Sequence, residues 1–140
     1  MKAFFDTNVL MDILDDERPN NHQVQPILQV AFEGEIDIVL STQSIVDAAY
    51  IYTQAKKQSA LDFRAKITGL LNFVCVQEVS RSDIDFANRS SIPDYEDAVQ
   101  LSCALRSDCG LIVTGDKKFH GYTDLPVYTV SEFFVALFGS

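Results

Sequence analysis

Long apolar runs are missing from this sequence, and so is tryptophan. A membrane-spanning helix needs about 18 or more consecutive apolar residues, and no stretch of the 140 residues reaches that length. The apolar run near the start, Ala3 to Phe5, is too short for a signal peptide and ends at the acidic Asp6. We therefore expect a cytoplasmic protein without a membrane span.

Cysteine is scarce. The three cysteines, Cys75, Cys103 and Cys109, are odd in number and do not have the spacing of metal ligands. A disulfide framework or a zinc site is therefore not indicated. We expect these residues to be small buried thiols in a reducing compartment.

Basic residues are few as well. Twenty Asp and Glu stand against eleven Lys and Arg, which gives a net charge of −9. Proteins that grip nucleic acid through a broad charged surface are usually basic, so this composition argues against such a surface. It is compatible with an enzyme whose negative charge is concentrated where divalent cations bind, or with a basic partner that covers an acidic face.

Apolar residues are plentiful, at 47% of the chain, and are sufficient for the core of one domain spanning residues 1–140. Short apolar stretches alternate with segments of helical periodicity, which predicts an α/β fold: a parallel sheet of four to five strands with helices on both faces. Strands are predicted at residues 2–5, 36–40, 73–76, 111–113 and 127–128. Helices are predicted at about residues 7–14, 22–32, 42–52, 58–71, 82–88, 94–106 and 130–138.

Aspartates follow two of these strands directly. Asp6 comes after the first strand, and Asp116 comes just after the fourth. Asp47 and Asp97 lie on predicted helices beside apolar residues, so both should be near the core. Ligands of parallel sheets bind beyond the carboxyl ends of the strands, and clustered carboxylates need a counter-charge that a divalent cation can supply. The pattern therefore predicts a metal site.

A purely structural interpretation exists for each acid alone. Asp6 and Asp94 are good helix N-caps, worth about 1 kcal/mol each, and Asp116 could belong to a turn. For a single acid the structural interpretation is the better one. The four acids together, on a parallel α/β pattern, favour the metal site.

Three motifs resemble those of the PIN-domain family, in particular the VapC-like ribonuclease toxins of prokaryotic toxin–antitoxin pairs. The segment Phe5 to Leu10 (FDTNVL) resembles the family's opening strand and first acid. Residues 94–98 (DYEDA) resemble the central acidic motif, and residues 113–119 (VTGDKKF) resemble the late motif. Each motif is weak alone, but their order and spacing span nearly the whole chain. The resemblance implies a three-layer PIN-like fold and metal-dependent cleavage of RNA.

The resemblance also implies roles for individual residues. The catalytic acids would be Asp6, Asp47, Asp97 and Asp116, holding Mg²⁺ or Mn²⁺ chiefly through Asp6, Asp97 and Asp116. The supporting residues would be Asn8, Ser41 and Thr114, which orient the acids, together with Asp94, which we expect to act mainly as a helix cap. Glu96 is expected to be solvated. Lys117 and Lys118 would contact substrate phosphate. The implied partners are an RNA substrate, an antitoxin protein and a second copy of the chain in a homodimer.

Two departures from the family pattern affect these expectations. The second acid is usually glutamate, whereas the matching helix here carries Asp47, which is one methylene shorter. We therefore expect its carboxylate to lie farther from the metal than those of the other acids. The late motif often has arginine before its aspartate, where this chain has Gly115.

Two other functions stay open. The first is a phosphatase that uses Asp6 as its nucleophile. Such enzymes generally have a second acid two residues later, where this chain has Asn8. The second is a PIN-like domain with weak or lost activity that only binds RNA or protein.

Overall fold

The computed structural model describes residues 1–115 and 117–139, without the side chains of Lys117 and Lys118. Its strands form one sheet in the order β3-β2-β1-β4-β5, and every neighbouring pair is parallel. The strands are β1 (Lys2–Phe5), β2 (Asp37–Ser41), β3 (Cys75–Gln77), β4 (Leu111–Val113) and β5 (Val127–Tyr128). The prediction of a parallel α/β sheet of four to five strands is confirmed.

Seven α-helices occur in the described part of the chain. They are α1 (Thr7–Leu14), α2 (Asn21–Phe32), α3 (Thr42–Tyr50), α4 (Ala60–Leu70), α5 (Arg81–Arg89), α6 (Tyr95–Arg106) and α7 (Val130–Phe138). A π-helical segment (Ile51–Ala55) continues α3, and a short 3₁₀ segment (Lys117–Gly121) follows β4. Within the described residues, no helix has both the length and the apolar character that crossing a bilayer requires.

The two faces of the sheet are covered by different helices, which gives three layers. Successive strand residues point to opposite faces, so Phe5 of β1 packs into a core with α1, α2, α3, α4 and α7. Phe4 points the other way and packs with Leu101 and Ala104 of α6. Strands buried on both faces have continuous apolar sequences, which is why the central strands were recognisable.

The edge of the sheet departs from expectation. The third strand was predicted at residues 73–76 but spans Cys75–Gln77, and Cys75 is exposed, contrary to the prediction of a buried thiol. The reason is that β3 is a short strand at the edge of the sheet, where it pairs with β2. Cys103 and Cys109 are buried as predicted, and all three thiols are free.

The strand order determines where a ligand can bind. From β1 the chain continues to β2 and β3 on one side, and β4 and β5 lie on the other side. The carboxyl ends of β1 and β4 therefore border a topological switch point, where a crevice opens in such sheets. The residues that follow these two strands are Asp6 and Thr114.

Candidate active site

A cleft of about 450 Å³ lies at this edge of the sheet. Its acidic lining residues are Asp6, Asp47, Asp94, Glu96 and Asp97. The other lining residues are Thr7, Asn8, Tyr50, Ile51 and Gln100. No lysine, arginine or histidine occurs in this set of described residues, so the cleft carries strong negative charge.

Asp6 is the most enclosed of these acids, with 7% of its surface exposed. It caps α1, since its Oδ1 accepts a hydrogen bond from the Val9 amide at 3.0 Å. Its Oδ2 accepts a hydrogen bond from the Thr114 hydroxyl at the end of β4. Burial raises the pKa of Asp6 although the hydrogen bonds from Thr114, Val9 and Gly115 act to lower it. A carboxylate in this state is stabilised by a nearby positive charge.

The start of α6 brings three acids to the cleft. Asp94 is exposed and caps the helix, because its Oδ1 accepts from the Asp97 amide at 3.0 Å. Asp97 is half-buried in the first turn. Glu96 was expected to be solvated, and it is exposed to solvent where it lines the cleft. Burial, followed by the negative charges of Asp47, Asp94 and Asp6, raises the pKa of Glu96.

Asp47 lies on α3 and is half-buried at the wall of the same cleft. Its Oδ1 accepts a hydrogen bond from Gln43 Nε2 at 2.9 Å, one helical turn earlier. This contact holds the carboxylate against its own helix. Whether Asp47 stands farther from a bound metal than the other acids stays a prediction.

Asn8 is exposed at the mouth of the cleft, next to Gly115 of the late motif. A Cβ atom added at Gly115 would lie 3.2 Å from the Cβ of Asn8. A larger residue at position 115 would therefore push Asn8 away. The arginine that is frequent in the family at this position would require Asn8 to shift by a few tenths of an ångström.

Three of the predicted site residues follow Gly115 in the late motif. Asp116 lies outside the described residues, and so do the side chains of Lys117 and Lys118. The structure therefore brings Asp6, Asp47 and Asp97 to one cleft, and their grouping with Asp116 stays a prediction.

A buried hydrogen-bond network lies under the acids. Ser41 caps α3 by accepting from the Ser44 amide at 3.0 Å, and its hydroxyl donates to Gln100 Oε1 at 3.0 Å. Gln100 Nε2 donates to Ser44 Oγ at 3.0 Å. Ser44 Oγ is also hydrogen-bonded to Thr7 Oγ1 at 2.9 Å. Ser41 was predicted to orient the acids, but its described contacts are with Ser44 and Gln100.

The sequence patterns gave no role to Thr7, Ser44 or Gln100. One signal was available, because Gln100 is an amide within the apolar stretch of α6 and follows Glu96 by four residues, on the same side of the helix. Thr7 and Ser44 looked like ordinary residues of a first helical turn. Their contact joins α1 to α3, and such a tertiary contact leaves no local pattern.

The donors in the cleft are suited to a hard divalent cation. All of its charged groups are carboxylates, which are the ligands that Mg²⁺ and Mn²⁺ prefer. Within residues 1–115 and 117–139, no three Asp, Glu, His or Cys side chains are grouped closely enough to hold a metal ion by themselves. Mg²⁺ is usually bound through one or two carboxylates together with water and substrate phosphate. The enclosed Asp6 and its neighbours fit that mode of binding.

The fold and the site define a parallel α/β protein with a carboxylate-lined cleft at the switch point of its sheet. A family model described as PIN domain matches residues 2–118. The chain belongs to the PIN domain family. It is also 27% identical over 134 residues to ribonuclease VapC1 of Aquifex aeolicus, covering 94% of this chain and 92% of that protein.

Solved structures share the fold. One is Mycobacterium tuberculosis VapC20, described as a sarcin–ricin loop cleaving toxin, with a TM-score of 0.67 and 11% identity over 85% of this chain and 93% of that one. Another is VapBC2 from Rickettsia felis bound to a DNA fragment from their promoter, with a TM-score of 0.65 and 17% identity. That match covers 92% of this chain and 98% of the other. The three-layer PIN-like architecture is thus confirmed.

Proposed function

We propose that this chain is a divalent-metal-dependent ribonuclease that cleaves phosphodiester bonds within RNA. The observation that carries the proposal is the gathering of Asp6, Asp47 and Asp97 in one cleft at the switch point of the sheet. Membership of the PIN domain family and the similarity to ribonuclease VapC1 support the same activity.

We assign the metal, Mg²⁺ or Mn²⁺, to Asp6, Asp97 and Asp116, with Asp47 as a fourth catalytic acid. When bound, such an ion supplies activation of water and stabilisation of charge on the phosphate being cleaved. Family membership supports dependence on a divalent metal in general, and the assignment to these residues is ours.

The residues of the chain orient the reacting groups. Thr114 and the Val9 amide hold one oxygen each of Asp6, so the carboxylate has a fixed direction at the end of β1. Asp94 fixes the first turn of α6 and with it the backbone of Asp97. Lys117 and Lys118 are proposed to contact the RNA phosphates, as the late motif implies.

The setting of the enzyme is also a proposal. We propose one domain over residues 1–140, a homodimer, and a location in the cytoplasm, where free thiols are usual. An antitoxin is the proposed protein partner, supported by the similarity to a VapBC structure. A basic segment of such a partner would complement the acidic cleft.

Cleavage by the purified chain tests the function. We expect a labelled RNA to be cut internally in the presence of Mg²⁺ or Mn²⁺ and to stay intact with chelator. An aspartate-nucleophile phosphatase would instead hydrolyse a small aryl phosphate. A binding domain without activity would retain RNA and cleave neither substrate, and either of these results would refute the proposal.

A further inference from the structure

Tyr50 is the last residue of α3 and lines the acidic cleft, and 69% of its surface is exposed. It is not among the apolar residues that pack against the described core. Among the described residues, no hydrogen-bond partner or aromatic partner contacts it. The other four tyrosines each have such a partner: Tyr52 has Asp62, Tyr95 has Asn88, Tyr122 has Phe119 and Tyr128 has Phe133. The ring of Tyr50 is therefore open to a ligand in the cleft.

The position of Tyr50 on α3 places it beside one of the proposed catalytic acids. Asp47 precedes it by three residues, so the two side chains are neighbours on the helix surface, and both line the cleft. Ala48 and Tyr52 belong to the other side of the helix and are buried in the core. The π-helical segment begins at Ile51, directly after Tyr50. Such segments are rare and occur frequently at functional sites.

The lining of the cleft offers a nucleic acid little electrostatic attraction. Its described charged residues are all carboxylates, which repel phosphate. An aromatic ring attracts a nucleobase without any charge, because every base has a π-face on which the ring can stack. Bases inside a duplex are already stacked, so aromatic side chains stack mainly on bases of single strands, loops and bulges.

We propose that Tyr50 binds the substrate by stacking its ring on an unpaired base of the RNA, beside the carboxylates of the cleft. This inference rests on the proposed function, because it takes RNA as the ligand of the cleft. It narrows the substrate class, since the cleft then selects single-stranded segments and loops over continuous duplex. Because Asp47 shares this wall of the cleft, the stacked base also holds the adjoining RNA backbone near the acids.

Steady-state cleavage of a single-stranded RNA by the full chain tests the proposal. Tyr50→Leu removes the ring but keeps an apolar side chain, and we expect KM to rise about 10-fold, as loss of a base-stacking aromatic does. The value of kcat should stay within about 2-fold, because a contact made equally in the ground and transition states affects KM alone. Tyr50→Phe keeps the ring and should behave as the wild type. Circular dichroism establishes that each variant is folded, and Tyr50→Gln replaces the Leu variant if that one does not fold.

Phe32 provides a matched control. It ends α2, has 66% of its surface exposed and is not among the residues that line the cleft. Phe32→Leu should therefore leave KM for RNA unchanged. An equal rise of KM in both Leu variants would overturn the proposal, and so would an unchanged KM in Tyr50→Leu. The second of these results is the one expected if the ring served a protein partner instead of RNA.

A series of RNAs that each lack one base identifies the base that stacks. With the wild type, removal of one particular base should raise KM about 10-fold. With that abasic RNA, Tyr50→Leu should have little further effect, because the two changes remove the same contact. Losses that multiply at every position would contradict stacking. The same RNA in a perfect duplex should be a poorer substrate whose cleavage does not respond to Tyr50→Leu.

A binding measurement separates this proposal from the proposed function. Short RNAs that carry 2-aminopurine at successive positions are titrated with each protein, since the fluorescence of this base falls when it stacks. We expect quenching at one position by the wild type and by Tyr50→Phe, but not by Tyr50→Leu. A chain that shows this pattern and cleaves no RNA would refute the proposed function and support the stacking. A chain that cleaves RNA and shows the same quenching with Tyr50→Leu would refute the stacking and leave the function standing.

Discussion

Asp6 combines a structural and a chemical role in one side chain. It caps α1 through Val9 and is at the same time the most enclosed acid of the cleft. Burial, and the nearby charge of Asp12, make its negative charge unfavourable in the absence of a cation. Capping alone would not require a charge, because asparagine caps helices as well as aspartate does.

Asp6→Asn should therefore separate the two roles. We expect cleavage to fall by more than the roughly 10–100-fold that is typical when an outer-sphere partner is lost. The fold should persist, since the amide oxygen can still accept from Val9 and the Thr114 hydroxyl can rotate to accept from the amide NH₂. The free energy of unfolding without metal should stay constant or rise. RNA cleavage and urea denaturation measure both effects, and cleavage at the original rate would show that Asp6 is only a cap.

For Asp47 the informative substitution keeps the charge and lengthens the side chain. Asp47→Glu restores the acid that is usual in the family, and the added methylene carries the carboxylate beyond the contact with Gln43. We expect higher activity than wild type when Mg²⁺ is limiting and equal activity when it is saturating. A titration of cleavage rate against Mg²⁺ decides the point. Equal dependence on Mg²⁺ in both proteins would contradict the idea that the short side chain of Asp47 weakens metal binding.

At the scale of elements, α6 is held in place by an ion pair that lies away from the cleft. Asp83 of α5 is fully buried and accepts from Arg106 Nη2 at 2.8 Å and from Ser102 Oγ at 2.7 Å. It also accepts from the Ser80 amide at 2.9 Å. Burial acts to raise the pKa of Asp83, but Arg106 and these hydrogen bonds outweigh it and hold the pKa well below its usual value.

Asp83→Asn should destabilise the protein in a pH-dependent manner. At neutral pH we expect a loss of about 1.5–3 kcal/mol in the free energy of unfolding, the range for hydrogen bonds to charged groups. The lowered pKa means that the folded chain resists protonation, whereas the unfolded chain takes up a proton near pH 3.8. The advantage of the wild type is therefore complete above that pH and shrinks below it. Urea denaturation at pH 7 and pH 3 tests this, and an equal difference at both would contradict it.

The helices and strands differ in how far local sequence determined them. The central strands were predictable because both faces of β1 and β4 are buried, which makes their sequences apolar throughout. The predicted start of α5 at residue 82 was one residue late, because Ser80 and Asp83 form a capping box that begins the helix at Arg81. The π-helical segment Ile51–Ala55 was not foreseen, because it continues the apolar periodicity of α3. That periodicity predicted a buried Tyr52 in an α-helix, and Tyr52 is buried in the π-helical segment as well.

The polar residues also differ in how far local sequence indicated their positions. Asp6 could be found because its strand is easily recognised, and Asp97 because the acid adjoins an apolar stripe. The side-chain partners of the buried Asp83 and Gln100 could not be found in this way. Ser102 lies 19 residues from Asp83, and Ser44 lies 56 residues from Gln100. Such partners are brought together only by the packing of helices.

At the scale of the whole molecule, the charge of −9 opposes the binding of RNA. Repulsion between an acidic protein and a polyanion weakens as salt screens it, with a Debye length of about 10 Å at 0.1 M. A basic nucleic-acid surface behaves oppositely, because it releases counterions and loses affinity steeply as salt rises. The bound divalent ion and local contacts at the cleft would then have to supply the attraction.

The salt dependence of cleavage should reveal which behaviour holds. With Mg²⁺ saturating throughout, we expect the KM for RNA to change by less than about 10-fold as KCl rises from about 50 to about 200 mM, because Lys117 and Lys118 would provide only two phosphate contacts. A basic binder loses affinity by orders of magnitude over this interval. Initial rates on a short labelled RNA give KM at each salt concentration, and a matched series at higher Mg²⁺ verifies that the metal stays saturating. A steep rise of KM with salt would mean that basic side chains outside the described lining of the cleft hold the RNA. In that case the net charge of −9 would not predict how the protein binds RNA.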